Sequence, residues 1–376
     1  MRKILCSLSM LALLLLNASI CSAAPTTNPN KYRQPLLDRF LAYVQVDSQS
    51  NFGQFYGDWV MTPEVAKAGE QLFLELKNIL NKTQAKATIH FSEDKYVYVQ
   101  FPSNLPEELT AQVPVLGLSA HYDVTPEVPG KGIKPRVIKN YQGGKVIINK
   151  EKNIFLDPQT TDKYLNSLIG ETIVTSDGTT LLGADDKAGT SIIATVVQTL
   201  AENPSIPHGV VQIMLAPNED VGLAAHRVDT QYFKPEIYYD FDGEVAGEVM
   251  AESFTAKGFR VTLRGISAHP SEAKAQGGIE GSEILAAFLQ DINEATDLKP
   301  NQSEGREPYI RFPAGQMKIT GETIVLEGYA RFFTEDEWDR MKKLVMTTIQ
   351  NLNLKYGTQN EVFIDRNLQR RGHWKS

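Results

Sequence analysis

Two apolar runs constrain this chain more than any other feature: Val113 to Ala120 ("VPVLGLSA") and Val210 to Ala216 ("VVQIMLA"). Nearly continuous apolar character is what a strand needs when both faces of its sheet are covered. Between the runs, Ile192, Ile193, Val196, Val197 and Leu200 fit one face of a helix that starts near Asp186. Ile237 to Phe241 reads as a further short buried strand, and Lys95 to Phe101 ("KYVYVQF") alternates as a half-buried strand does. Upstream, Leu36 to Val46 and Pro63 to Leu80 space their apolar residues helically, for example Leu72, Phe73, Leu76, Ile79 and Leu80. Strands alternating with helices predict an α/β domain on a mainly parallel sheet.

From about Ala256 the grammar changes. Phe259, Val261 and Leu263 alternate in a strand, and Ile284, Leu285, Phe288, Leu289 and Ile292 mark a helix. Tyr309 to Ile319 and Thr323 to Phe333 read as two strands joined by a turn at Thr320-Gly321. Thr334 and Glu337 form a capping box that opens a helix through Trp338, Met341, Val345 and Ile349. Glu361 to Arg366 is a last strand. The order β-α-β-β-α-β predicts a ferredoxin-like second domain over residues 255–366, after a first domain over 31–254 and before a tail of 367–376.

The N-terminus bears on compartment. Arg2 and Lys3 precede an apolar stretch from Leu5 to Leu16, and Cys21-Ser22-Ala23 offers small residues for cleavage. Residues 1–23 therefore read as a secretory signal, too short and wrongly flanked for a membrane span, which places the protein outside the cytoplasm or in a periplasm. Cleavage after Ala23 removes Cys6 and Cys21, the two cysteines of the chain. A metal in the mature protein must then be held by His, Asp and Glu. Losing Arg2 and Lys3 from 38 basic residues against 45 acidic ones takes the net charge from −7 to −9. An acidic protein without a basic run is a poor partner for nucleic acid or an anionic membrane.

Four acidic or histidine-bearing segments fall at the C-terminal ends of the predicted parallel strands, where open α/β sheets bind ligands. "LSAHYD" carries His121 and Asp123, and "GADD" carries Asp185 and Asp186. "LAPNEDVG" carries Glu219 and Asp220, and "YYDFDG" carries Asp240 and Asp242. Each has an ordinary reading as a helix cap, a hydrogen-bonded histidine, a solvated loop or a turn. One oxygen- and nitrogen-ligand metal site explains all four together, and that donor set suits zinc, cobalt or manganese. An aspartate two residues after a histidine can orient the imidazole.

The strings "SAHYD", "DGTTLLGADDKAG", "IPHG", "PNEDVG", "DGE" and "SAHPSEAKAQG" resemble peptidase T, the tripeptide aminopeptidases among the co-catalytic zinc peptidases that include carboxypeptidase G. The similarity runs from about Lys31 to the end, and "DGTTLLGADDKAG" is highly specific. The resemblance implies a metal-activated water that releases the N-terminal residue of tripeptides. It implies His121, Asp185 and Asp242 around one zinc, Asp185 bridging to a second zinc, and Asp220 on that second ion. Glu219 would be the general base and Asp123 would orient His121. His269 resembles the histidine that reaches across a dimer to the substrate carbonyl, and implies a homodimer through the second domain. Arg331 resembles the arginine that grips the peptide's C-terminal carboxylate; the ordinary reading, a surface strand residue, stands beside it.

The sequence departs from that pattern in three ways. It carries an export signal where peptidase T works in the cytoplasm. It has Glu219-Asp220 where the family has two glutamates. It reaches "RNLQRRGHWKS" directly after the second domain, where the family returns with a Gly-Thr-Asp motif and a histidine for the second zinc. None of His90, His121, His208, His226, His269 and His373 stands in a matching context for that ligand. The expectation is an incomplete catalytic domain whose second zinc site lacks its nitrogen ligand. The alternatives are a non-catalytic remnant that binds one metal or peptides, and a related metallo-carboxypeptidase or deacylase.

Overall fold

The computed structural model describes residues 28, 30–53, 59–160, 162–243, 245, 247–250, 254–266, 277–295, 308–312 and 317–364. The expected signal segment, His269, His373 and the expected tail lie outside the described residues. The chain divides into two compact units, one of Met1–Asn51 with Val60–Glu244 and one of Phe52–Trp59 with Val245–Ser376.

The first unit is built on a five-stranded sheet. Its strands are β1 (Thr88–Phe91), β2 (Val97–Phe101), β3 (Leu116–His121), β8 (Val211–Ala216) and β9 (Ile237–Asp240), in the order β1-β2-β8-β3-β9. Strands β8, β3 and β9 are mutually parallel, whereas β1 and β2 add antiparallel. The parallel half is the one that carries the strand ends singled out above. Strand β2 sits between β1 and β8 and is buried on both faces, so the Tyr-Val alternation hides two filled faces rather than one. Strand β9 corrects the expectation of a buried strand. Among the described residues it pairs only with β3, and Ile237 and Tyr239 are about half exposed at 45% and 51%.

Helices α2 (Pro63–Thr83) and α3 (Ala184–Glu202) pack on this sheet, and α1 (Asn30–Val44) packs on α3. Helix α2 starts where Thr62 accepts a hydrogen bond from the Val65 amide and Pro63 supplies a preset φ. Its buried stripe is Val65, Ala68, Leu72, Leu76 and Leu80, the spacing of one helical face. Helix α3 buries Ile193, Ala194, Val197 and Ala201 against β3, while Ile192 turns to solvent, outside the expected stripe. These side chains join Val97, Val99, Leu118, Ile213 and Leu215 in one core, each large one contributing roughly 1.5–3 kcal/mol by leaving water. Between β3 and α3 lie two small two-stranded sheets that the apolar pattern did not announce. They are β4 (Arg136–Ile138) with β7 (Ile173–Thr175), and β5 (Val146–Asn149) with β6 (Ile154–Leu156). A satellite core of Tyr141, Val146 and Leu165 holds that region.

The second unit has strands β10 (Thr255–Arg264), β11 (Tyr309–Arg311), β12 (Met317–Thr320), β13 (Thr323–Phe332) and β14 (Glu361–Ile364). Helices α4 (Gly281–Glu294) and α5 (Glu335–Tyr356) complete it. The sheet order β11-β13-β10-β14, antiparallel throughout, is that of a ferredoxin-like unit. The strand expected over Tyr309 to Ile319 is instead two pieces, β11 and β12, each paired with β13 in a different register. At the break, the Phe312 ring occupies the space where a side chain at Gly328 would stand. Even-numbered residues of β13 and odd-numbered residues of β10 meet Ile284, Phe288, Met341, Val345 and Ile349 in the second core.

Candidate metal centre

Strands β8, β3 and β9 run parallel, so their C-terminal ends lie along one edge of the first sheet. Each ends in a short polar segment. The ring of His121, the last residue of β3, is almost wholly buried, and its Nε2 lies 2.9 Å from Asp185 Oδ1. The same nitrogen is 3.9 Å from Asp242 Oδ2 and 3.9 Å from Glu219 Oε2. Potential ligand atoms of His121, Asp185 and Asp242 all lie within 4.8 Å of one another, as do those of His121, Asp123 and Asp220. Five of the sequence-selected carboxylates thus surround one imidazole.

Local backbone explains how they arrive there. Asp185 and Asp186 are joined by a cis peptide bond and have non-helical φ and ψ, so regular α3 begins after them. Asp185 remains exposed, pointing its carboxylate at His121. Asp186 turns inward, where Oδ2 accepts from the His121 amide at 3.1 Å and Oδ1 from the Gly189 amide at 3.0 Å. Only glycine fits at position 189, because a Cβ there would press on the Phe241 carbonyl in the segment leading to Asp242. Asn218 adopts a left-handed φ of 55°, a conformation asparagine tolerates, and so presents Glu219 and Asp220 just beyond the end of β8.

Asp123 is fully buried and serves the scaffold. Its Oδ1 accepts from the Glu219 amide at 2.9 Å and its Oδ2 from the Asp220 amide at 3.2 Å. It also lies beside His121 Nδ1, 3.4 Å from Oδ1, the side of the ring that faces away from Asp185. Both carboxylate oxygens are therefore engaged in fixing the loop and the ring, which suits an orienting role rather than a ligand role. The His121 carbonyl is in turn held by Thr190 Oγ1 at 2.7 Å.

The electrostatics describe a site short of positive charge. Burial pushes Asp220 up to about 8 and Asp242 up to about 7, with neighbouring carboxylates adding to the effect. Asp186, also through burial, rises to about 9. Burial opposes a charge on His121, yet its hydrogen bonds to Asp123 and Asp185 prevail and raise the imidazole well above its usual value. Asp185 is held low, first by its hydrogen bond to His121. Carboxylates that resist ionisation because they are buried, and secondarily because they crowd one another, are what a divalent cation relieves. One imidazole with several carboxylate oxygens fits a borderline or hard ion such as zinc, cobalt or manganese.

Other singled-out residues are placed elsewhere. Arg331 lies on β13 in the second unit, over aromatic rings. His90 stacks on Tyr232, His208 bonds to the neighbouring Gly209 carbonyl, and His226 lies exposed on a short turn. The structure adds a buried lysine and a strand-end aspartate to the surroundings of the site. Lys187, lowered by burial to about 8, donates to the Val46 carbonyl at 2.6 Å. Asp240 accepts from Ser119 Oγ at 2.7 Å and ties β9 to β3 beside the site. The signal for Lys187 was its place in "DDK", directly behind two acids, where a lysine reads as an ordinary helix start.

No family model matches the chain. Peptidase T of Halothermothrix orenii is 34% identical over 325 residues, spanning 86% of this chain and 75% of that protein. Peptidase T of Bacillus subtilis is 31% identical over 337 residues, spanning 90% and 78%. This chain belongs to the peptidase T family. Among solved structures, a tripeptidase from Staphylococcus aureus superposes with a TM-score of 0.57 at 20% identity, over 89% of this chain and 75% of its own. That likeness supports the fold. Membership of the peptidase T family favours the tripeptidase over the non-catalytic remnant and over the carboxypeptidase or deacylase alternatives.

Proposed function

We propose that the chain acts as a zinc-dependent peptidase T exported from the cytoplasm. It is a metal-dependent hydrolase, a tripeptide aminopeptidase. The observation that carries the site assignment is the convergence of His121, Asp185, Asp220 and Asp242 at the C-terminal ends of parallel strands, with Glu219 at its edge. His121, Asp185 and Asp242 would hold one ion, and Asp220, with Asp185, would hold a second. Bound divalent ions supply Lewis acidity toward the scissile carbonyl and make water acidic enough to act near neutral pH.

The chain's own residues do the rest. Glu219, 29% exposed, is the general base: it takes the proton from the attacking water and returns it to the leaving amine. Asp123 keeps the His121 ring in one orientation and anchors the Glu219 and Asp220 amides, so base and ligand stay in register. Arg331 is the candidate for the peptide's C-terminal carboxylate, since a guanidinium meets a carboxylate with two parallel hydrogen bonds. His269 and a homodimer through the second unit belong to the same proposal. The N-terminal charge, apolar run and small-residue site support export, and no described helix is long and apolar enough to cross a membrane.

The test joins metal analysis of the purified protein to a tripeptide assay. Zinc in the protein and release of the N-terminal residue, abolished by a chelator and restored by zinc, are the expected results. A protein that takes up no divalent ion and leaves tripeptides intact overturns the reading.

A further inference from the structure

The outer face of the second sheet, the one turned away from α4 and α5, carries Arg260, Arg264, Arg311 and Arg331. Two of these are held by acids. Arg260 Nε lies 2.5 Å from Glu327 Oε1, and Arg264 Nη2 lies 2.6 Å from Glu361 Oε1. Arg331 is held differently. Its guanidinium carbon stands 4.1 Å from the centre of the Phe254 ring and 5.6 Å from the rings of both Tyr309 and Tyr329. Among the described residues no carboxylate lies within ion-pair distance of it.

The register builds this arrangement. Tyr309 on β11 is the direct cross-strand partner of Arg331, and Arg311 that of Tyr329. On the other side of β13, Ala256 faces Arg331 and Gly258 faces Tyr329, so β10 offers small residues where large planar groups must lie flat. Tyr309 and Tyr329 meet at 6.2 Å in an edge-on contact. Ring faces attract a guanidinium but satisfy none of its five N–H donors. A cation that only rings hold, among the described residues, therefore retains its hydrogen-bonding edge for a planar anion.

We propose that Phe254, Tyr309 and Tyr329 are positioning residues: they clamp the Arg331 guanidinium so that its donor edge recognises the free C-terminal carboxylate of the substrate. This rests on the reading of Arg331 given above. The rings limit rotation of a long side chain before substrate arrives, so less ordering remains to be done on binding. A peptide whose C-terminus is an amide offers no carboxylate to this edge and gains nothing from the clamp.

The experiment is steady-state kinetics of the full-length, zinc-loaded protein on one tripeptide and on its C-terminal amide. Arg331→Lys should raise KM for the free tripeptide about tenfold or more and leave KM for the amide within twofold. Tyr329→Leu should raise KM for the free tripeptide about threefold to tenfold, with kcat and the amide's KM within twofold of wild type. Tyr329→Phe, which restores the ring without the hydroxyl, should return KM to near the wild-type value. Phe254→Leu, outside the regular strand, should behave as Tyr329→Leu and carries the test if that variant does not fold. If Arg331→Lys treats acid and amide alike, the reading of Arg331 falls and the clamp with it. If Arg331→Lys separates the two substrates but the ring variants shift both equally, or change kcat alone, the clamp is overturned while Arg331 keeps its role.

Discussion

The strand ends of the first unit and the sheet of the second unit use the same charged residues to opposite ends. On the second sheet, Glu327 answers Arg260, Glu361 answers Arg264, and Glu337 closes a capping box with Thr334 at the start of α5. Every one of these acids meets a donor and helps to hold the fold. At the ends of β3, β8 and β9, by contrast, His121 is ringed by Asp123, Asp185, Glu219 and Asp242, and burial drives several acids toward neutrality. Such crowding does nothing for folding by itself, which is why it reads as a place for cations. The contrast teaches that a carboxylate's partner, more than its presence, separates a structural from a functional acid.

The largest effect that would break this contrast lies at Glu219. Glu219→Gln keeps the side chain's shape and the backbone amide that Asp123 accepts from, but removes the base. Turnover should fall by about 10²–10⁴-fold, the range for losing a positioned acid–base group, with metal content unchanged. Kinetics beside metal analysis check it. Equal activity in the variant would return Glu219 to the ordinary solvated loop.

The second prediction sharpens the comparison through pH. In metal-free protein Asp186, Asp220, Asp242 and His121 all bind protons more tightly than in an unfolded chain. A raised folded pKa stabilises below the unfolded value and is lost as pH climbs through the folded one. Chelator-treated protein should therefore lose stability, on the order of a few kcal/mol, between about pH 4 and pH 9. Asp185 contributes with the opposite sign, but its held-low pKa places that change below this window. Zinc should flatten the decline, since it keeps its ligands ionised. Thermal melts with and without zinc across that range decide the matter, and identical profiles would mean that the acids answer to no cation.

Much of this was legible because one physical pattern sufficed. Apolar runs announced β3 and β8, and acids at their ends announced the site. The capping box at Thr334 and Glu337 fixed the start of α5. Elements that depend on distant partners were hidden. Strand β2 gains its second buried face from β8, residues far along the chain. Ile237 and Tyr239 look like core residues, yet β9 has a described neighbour on one side only. Strands β11 and β12 pair with β13 in different registers, and Phe312 lies against Gly328, arrangements that no local propensity encodes. Within the site, the donor types were readable and the resemblance gave Asp185 rather than Asp186 to the metal, but the physical reason for that division was not readable. It follows from which carboxylate turns toward the His121 ring and which toward the amides of His121 and Gly189.

The cap offers a smaller effect, confined to the structural side of the comparison. Thr334→Ala removes the acceptor for the Glu337 amide and leaves only the reciprocal bond from the residue 334 amide to the Glu337 carboxylate. The second unit should lose about 1 kcal/mol in denaturant unfolding, with peptidase activity at ordinary temperature unaltered. A loss of activity without loss of stability would show that α5 has a part in function that its packing does not suggest.

The smallest effect is expected at the pair that looks most like a fastener. Arg264 and Glu361 are 41% and 64% exposed, and solvent screens a contact of this kind even at 2.6 Å. Glu361→Gln should move stability by less than about 0.5 kcal/mol. The neighbouring Asn360 makes the informative contrast. It is buried; its Oδ1 accepts from the Arg264 amide at 2.7 Å, its amide donates to Asn353 and its carbonyl accepts from Asn353. Asn360→Ala keeps its backbone bonds but strands the Arg264 amide without its acceptor, and should destabilise by about 1–3 kcal/mol. Equilibrium unfolding of both variants ranks the two, and a Glu361 variant that loses more than the Asn360 variant would show that partnership at this surface outweighs burial.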